Sequence, residues 1–163
     1  MQLHKNLEAA GISAQQVTHV LLTHLHKDHA GGVSLPGDHT QFSFPNATYY
    51  VNEQELEFAF SKGKPSFITE DLEVLRNSSR VVLTASEGTI DGYIHYKHSG
   101  GHSPHHQVFW IRSGEETIFF GGDEAPTLQQ MKHRFVAKYD HDGKKAAELR
   151  KQWWEQGKQE GWT

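Results

Sequence analysis

The stretch His24-Leu25-His26-Lys27-Asp28-His29-Ala30-Gly31-Gly32 places three imidazoles and one carboxylate within six residues. It follows an apolar run over residues 17–22, which predicts a buried strand. The ligand groups therefore lie on the loop that leaves this strand. His24 and His26 can face the same side, because side chains of an extended segment alternate with a period of two. This stretch predicts a metal site.

The residues that follow extend the site to a second ion. Asp28 and His29 lie one turn beyond His26 and can serve that ion. Imidazole nitrogens and carboxylate oxygens without a thiolate suit zinc, and also iron, manganese or cobalt. The alternative is a histidine-rich surface loop in a chain with 13 histidines. The glycine pair disfavours that alternative, because glycines permit the tight return that packs a ligand loop against a sheet. We expect two divalent metal ions, zinc by preference, with iron or manganese as alternatives.

Residues 23–32 resemble the signature of the metallo-β-lactamase fold, the large superfamily of binuclear metallohydrolases. Two later segments, Gly-Gly-His-Ser-Pro at 100–104 and Gly-Gly-Asp at 121–123, are similar to the second and third metal segments of that family. The resemblance extends over roughly residues 17–125 and implies an α/β (α+β) chain with an αββα sandwich. The ligands that it implies are His24, His26 and His102 for one ion, Asp28 and His29 for the other, and Asp123 between them.

Two departures from the family pattern concern the ends of the chain. The family has more strands before its histidine motif than 23 residues can supply, and it has a last histidine ligand after a helix. His133 and His141 precede the final predicted helix, so neither is a convincing replacement. We expect one domain over residues 1–163, an incomplete sandwich that lacks the usual first strands and C-terminal ligand segment and is truncated at both ends.

The resemblance implies a hydrolase that acts on a lactone, an ester or a related bond. In the mechanism that this resemblance implies, a metal-bound hydroxide would attack the carbonyl carbon, and Asp28 would handle protons in addition to binding metal. The run Asp-Glu-Ala-Pro-Thr at 123–127 is similar to the branch that contains quorum-quenching lactonases and organophosphate hydrolases. Two alternatives remain open. One is a catalytically impaired fragment or an assembly-dependent metal-binding module, and the other is a mononuclear iron enzyme like the persulfide dioxygenases.

Composition narrows the partners. The formal net charge of −4 shows no basic surplus, which disfavours nucleic acid as a partner. The family resemblance implies a small-molecule substrate. The start of the chain lacks an apolar secretory segment and no stretch approaches a membrane span, so we expect a cytoplasmic protein with no membrane partner. The sequence contains no cysteine, which excludes a disulfide framework. An incomplete sandwich would expose apolar surface, which predicts either a homo-oligomer or poor solubility.

Local patterns predict the remaining elements. We expect helices at residues 3–10, from a cap at Asn52 to about residue 61, at 69–76 and at 144–156. Strands are expected at 47–51, 80–84, 93–97, 107–112 and 117–120, whereas 38–44 is a polar excursion. The family resemblance implies that His106 is a structural histidine behind the ligands, and that Asp140 either orients a ligand or caps the last helix. Five phenylalanines between the first two motifs form either core or a wall over the substrate: Phe42, Phe44, Phe58, Phe60 and Phe67.

Overall fold

A computed structural model of the 163-residue chain describes residues 2–132 and 135–163. The chain forms two compact units: the first ends at Leu83 and the second begins at Thr84. Each unit combines strands with helices, which confirms the predicted α/β class. That the whole chain forms one domain stays a prediction.

The first unit is built on a sheet whose strand order is β1-β4-β5, beside a two-stranded pair, β2 and β3. Its strands are β1 (His19–Leu21), β2 (Ser34–Leu35), β3 (Asp38–Phe42), β4 (Thr48–Asn52) and β5 (Val81–Thr84). Its helices are α1 (Gln2–Ala9), α2 (Lys27–Ala30), α3 (Glu53–Lys62) and α4 (Thr69–Leu72), the last continued by a 3-10 turn. β1 pairs in parallel with β4, so both strands end at the same edge of the sheet.

Burial follows the apolar pattern of the first unit. β4 is mostly buried, and Tyr49 at its centre is 0% exposed. Asn52 accepts a hydrogen bond from the Glu55 backbone at 3.1 Å, which confirms the predicted cap of α3. Of the five phenylalanines, Phe44 and Phe67 are buried in the core and the other three pack against it. The prediction that they form core is confirmed.

The second unit contains a four-stranded antiparallel sheet with the order β6-β7-β8-β9. Its strands are β6 (Glu87–Ile90), β7 (Ile94–His98), β8 (Gln107–Ser113) and β9 (Glu116–Phe120). Its helices are α5 (Leu128–Lys132) and α6 (Gly143–Glu160). β7 and β9 both run antiparallel to β8, so they run in the same direction and end at one edge of the sheet. The segments that leave these two strands are therefore neighbours.

Some elements differ from the sequence prediction. Residues 38–42 form β3 rather than a polar excursion, because they pair with β2 across the turn at residues 36–37. β6 and α5 had no strong signal, since Gly88 interrupts the first and polar side chains dominate the second. α6 is longer than predicted and ends at Glu160 before a left-handed glycine.

Across 2–132 and 135–163, no helix combines the length and the apolar composition that a membrane span requires.

Candidate metal centre

The first unit brings its predicted imidazole ligands together at the end of β1. The rings of His24 and His26 are perpendicular with centroids 4.6 Å apart, and the His29 ring lies 4.3 Å from that of His24. Ligand atoms of His24 lie within 4.8 Å of one on His26 and of one on His29. His24 is therefore the common member of two imidazole pairs.

Local structure explains this arrangement. His24 leaves the end of β1 and is buried, whereas His26 immediately precedes α2. The His26 carbonyl accepts the His29 backbone N–H at 2.9 Å, so α2 returns His29 toward His24 within one helical turn. The His26 ring packs on the core ring of Phe67, with centroids 5.0 Å apart.

Two further residues of the first unit orient this loop. Nδ1 of His24 lies 3.1 Å from the Thr23 hydroxyl in a buried contact. A proton on Nδ1 leaves the Nε2 lone pair for a cation, which is the usual arrangement of a metal-binding histidine. The buried carboxylate of Glu55, on the first turn of α3, accepts the Leu25 N–H at 3.1 Å. This hydrogen bond ties the first turn of α3 to the loop that bears His24 and His26.

Asp28 is the most exposed of the predicted ligands. Its carboxylate lies 3.7 Å from Nε2 of His29, and its side chain is 71% exposed, compared with 30% for His29. The position on α2 keeps both groups on the same turn. Metal binding and proton handling by Asp28 stay predictions.

The second unit brings together His102 and Asp123. His102 lies on the loop that joins β7 to β8, and Asp123 lies on the 3-10 turn that follows β9. Because β7 and β9 end at one sheet edge, Nε2 of His102 lies 3.4 Å from Oδ2 of Asp123. An imidazole and a carboxylate from two different segments therefore lie close together. That both bind metal, as the family resemblance implies, stays a prediction.

Asp140 orients His102 rather than capping the last helix. Its carboxylate lies 3.0 Å from Nδ1 of His102, and both side chains are at most 3% exposed. This contact directs Nε2 away from Asp140, toward Asp123. The helix cap is supplied by Asp142, which accepts the Lys145 N–H at 3.0 Å. The structure thus selects one of the two roles left open for Asp140.

The other histidines have separate places. His106 is 0% exposed and its Nδ1 lies 2.9 Å from the Ser99 hydroxyl, as expected of a structural histidine. The backbone of His141 donates to the His102 carbonyl at 3.0 Å, while its side chain is exposed. His133 lies outside the described residues.

Sequence patterns missed Thr23, Glu55 and Glu124, because a buried polar side chain has no periodic signal of its own.

In each unit, the predicted ligand atoms suit a divalent cation of intermediate softness, such as zinc. Neutral imidazole nitrogens and carboxylate oxygens are preferred ligands of zinc, and imidazole also suits iron. His24 and His102 are both buried, and each has Nδ1 beside a fixed hydrogen-bonding partner. The residues therefore fit a metal on their Nε2 atoms.

Comparison with known proteins identifies the family. The family model described as the metallo-beta-lactamase superfamily matches residues 1–152. The chain belongs to the metallo-β-lactamase superfamily. This finding confirms the family predicted from the histidine motif.

Named relatives of this superfamily member include lactonases. The chain is 28% identical over 136 residues to the N-acyl homoserine lactonase AttM of Agrobacterium fabrum, covering 78% of this chain and 49% of the relative. AttM of Azorhizobium caulinodans is 29% identical over 116 residues, covering 65% of this chain and 40% of the relative. The chain spans about half the length, or less, of these curated relatives.

Solved structures show the same fold. A probable metal-dependent hydrolase from Staphylococcus aureus aligns with a TM-score of 0.86 at 22% identity, over 98% of this chain and 57% of that protein. The dizinc quorum-quenching lactonase AidC aligns with a TM-score of 0.77 at 23% identity, over 94% of this chain and 58% of that protein. The predicted metallo-β-lactamase fold is confirmed.

Proposed function

We propose that this chain is a metal-dependent hydrolase whose centre takes two divalent ions. His24, His26 and His102 would hold one ion, Asp28 and His29 the other, and Asp123 would lie between them. The observation that carries the proposal is that His24 and His102 have the same environment. Each is buried with Nδ1 against a hydrogen-bonding partner, and a proton on Nδ1 would make Nε2 the metal-binding atom.

The chemistry divides between the ions and the chain. When bound, such ions polarise a substrate carbonyl and lower the pKa of a coordinated water toward about 7. The chain contributes the fixed direction of each imidazole, because Thr23 and Asp140 hold the His24 and His102 rings. Asp28 would accept and return a proton during hydrolysis, and the 71% exposure of its side chain supports this role.

We infer a lactone or a simple ester as the substrate. The named relatives are N-acyl homoserine lactonases, and the chain shares 27% to 29% of its residues with them over the matched regions. Lactones and esters present a carbonyl whose leaving group is an alkoxide, which is the charge that a dication stabilises. The absence of a basic surplus agrees with a small, uncharged or weakly charged substrate.

Metal content is the first test. Purified protein is dialysed against zinc, freed of excess ion and analysed for elements, together with His26→Ala and with His39→Ala as the matched control. His39 is an exposed histidine that pairs with Asp71 at 3.0 Å, outside the proposed ligands. We expect about two ions per chain in the wild type and in the His39 variant, and a lower content in the His26 variant.

Activity is the second test. The zinc-loaded protein is assayed for ring opening of N-acyl homoserine lactones and for hydrolysis of a chromogenic ester, with the His26 variant as the blank. Zinc retention without turnover of either substrate would favour the metal-binding module. A single retained ion, with iron preferred over zinc, would favour the mononuclear alternative. No metal in the wild type would refute the proposal.

Three finer statements belong to the same proposal. Zinc as the ion is supported by the description of AidC as a dizinc enzyme. Self-association is supported by exposed apolar side chains such as Val82 and Leu83 on β5, and light scattering at several concentrations would test it. A cytoplasmic location stays a prediction, and cell fractionation would test it.

A further inference from the structure

Glu124 is a buried carboxylate directly after Asp123. Its side chain is 0% exposed, although glutamate is seldom fully buried unless it has partners. It lies on the 3-10 turn after β9, next to the residue proposed to lie between the two ions. A charge in such a place is costly unless several donors satisfy it.

The hydrogen-bond donors to the Glu124 carboxylate all belong to the loop that bears His102. Oε2 accepts the backbone N–H of His102 at 2.9 Å and that of Gly101 at 3.2 Å. The Ser99 hydroxyl donates to the same oxygen at 3.1 Å. Two consecutive backbone donors and one hydroxyl therefore converge on a single carboxylate oxygen, and hydrogen bonds to a charged acceptor are stronger than neutral ones.

The loop is shaped to admit this carboxylate. A Cβ atom on Gly101 would lie 2.0 Å from Oε1 of Glu124 and 2.9 Å from the Ala146 Cβ on α6. Glycine at 101 is thus required by close approach. The side chain and the loop occupy complementary space.

Arg150 fixes the main chain of Glu124 from the other side. This α6 side chain is 2% exposed, and its Nη1 donates to the Glu124 carbonyl at 2.9 Å. Its second terminal nitrogen donates to the Phe135 carbonyl. The turn that bears Asp123 and Glu124 is thereby tied to α6.

We propose that Glu124 is a positioning residue for the metal centre, which sets the backbone of His102 while Asp140 sets its ring. This inference rests on the proposed metal-dependent function. A ligand with both its backbone and its ring fixed presents Nε2 in one place, which lowers the entropic cost of binding an ion. Glu124 makes no contact with the ion itself in this role.

The test compares Glu124→Gln with wild type and with Glu115→Gln. Glu115 is an exposed residue of the turn between β8 and β9, so its variant carries the same chemical change away from the loop. In Glu124→Gln the charge is lost, and an amide N–H2 must occupy the place of Oε1, which has no hydrogen-bond partner among the described residues. Zinc affinity is measured by competition with a chromophoric chelator, and the cobalt-loaded protein gives the ligand-field spectrum.

The expected result is a loss of zinc affinity of about tenfold to a hundredfold in Glu124→Gln, with a changed cobalt spectrum. Glu115→Gln should match wild type. A residue with a purely structural role would lower the thermal midpoint and leave the cobalt spectrum intact. A folded Glu124→Gln protein with less than about threefold loss and an unchanged spectrum would overturn the proposal.

A second variant covers the case in which Glu124→Gln does not fold. Ser99→Ala removes one donor to Oε2, together with the contacts of the same hydroxyl with His106, and leaves the carboxylate in place. A loss of more than about threefold would support the proposal, and a smaller one would overturn it. Failure of the wild type to bind zinc would instead refute the proposed function, and this inference with it. The wild-type titration therefore separates the two failures.

Discussion

Gly101→Ala should be strongly destabilising, although it adds a single methyl group. The added Cβ would lie 2.0 Å from Oε1 of Glu124, where real contacts essentially never fall below 3.0 Å. The carboxylate must therefore move by at least the difference, about 1 Å. The Ala146 Cβ and N, both 2.9 Å away on α6, close the other direction.

The size of the effect follows from what this movement disrupts. Glu124 cannot shift without lengthening its bonds to the backbone N–H groups of Gly101 and His102. Each hydrogen bond to a charged group contributes about 1.5–3 kcal/mol, and overpacking a filled site adds about 1–3 kcal/mol. We expect the free energy of unfolding to fall by about 3–5 kcal/mol, since relaxation of the loop recovers part of the sum.

Urea unfolding of metal-free protein, in the presence of a chelator, measures this loss without a contribution from bound ions. Gly114→Ala is the matched control, because that glycine has φ +60° in an open turn with nothing within 4 Å of the added Cβ. The control should lose only the conformational term of about 1–2 kcal/mol. A loss for Gly101→Ala no larger than that of the control would refute the close-approach argument.

Three further changes should have distinct outcomes. Asp140→Asn should weaken zinc binding about tenfold to a hundredfold, because an amide cannot accept from both the His102 ring and the Ala137 backbone as the carboxylate does. Asp142→Asn is the control, because asparagine is also a good helix cap, and its zinc affinity, measured by competition with a chelator, should equal that of wild type. Burial raises the pKa of Tyr49 to about 12 from 10.0, so the unfolded chain loses this proton first, and stability should fall by about 1.4 kcal/mol per unit between pH 10 and 12. Urea midpoints of Tyr49→Phe should lack that extra slope relative to wild type, and equal slopes would contradict the assignment. Trp153→Ala should lower the unfolding free energy by about 3–5 kcal/mol, because Trp153 packs with Val108 and Trp110; a loss below about 1 kcal/mol in thermal unfolding would contradict this role.

The ligand loops were predictable because their residues are close in sequence. His24, His26 and His29 fall within six positions, so local geometry alone brings them together after a short strand. The glycine pairs beside His102 and Asp123 marked the two other segments. That these two segments meet required the strand order of the second sheet, which periodicity does not encode.

The supporting carboxylates were less accessible to sequence reasoning. Glu55 sits on a helix whose other glutamates face solvent, and nothing in its spacing separates it from them. Glu124 is buried only because a loop 22 residues earlier directs backbone donors at it. A buried charge is specified by its three-dimensional partners, whereas amphipathic patterns report only which face of an element is apolar.

Glu55 and Glu124 also have a kinetic consequence. Each accepts backbone N–H groups of a ligand loop, one at Leu25 and the other at Gly101 and His102, through contacts that involve no ion. The loops should therefore keep their shape whether or not metal is bound, unlike a zinc finger, whose chain orders only when the ion arrives. Exchange of one metal for another should then proceed at the rate of ligand dissociation, with no refolding step to delay it.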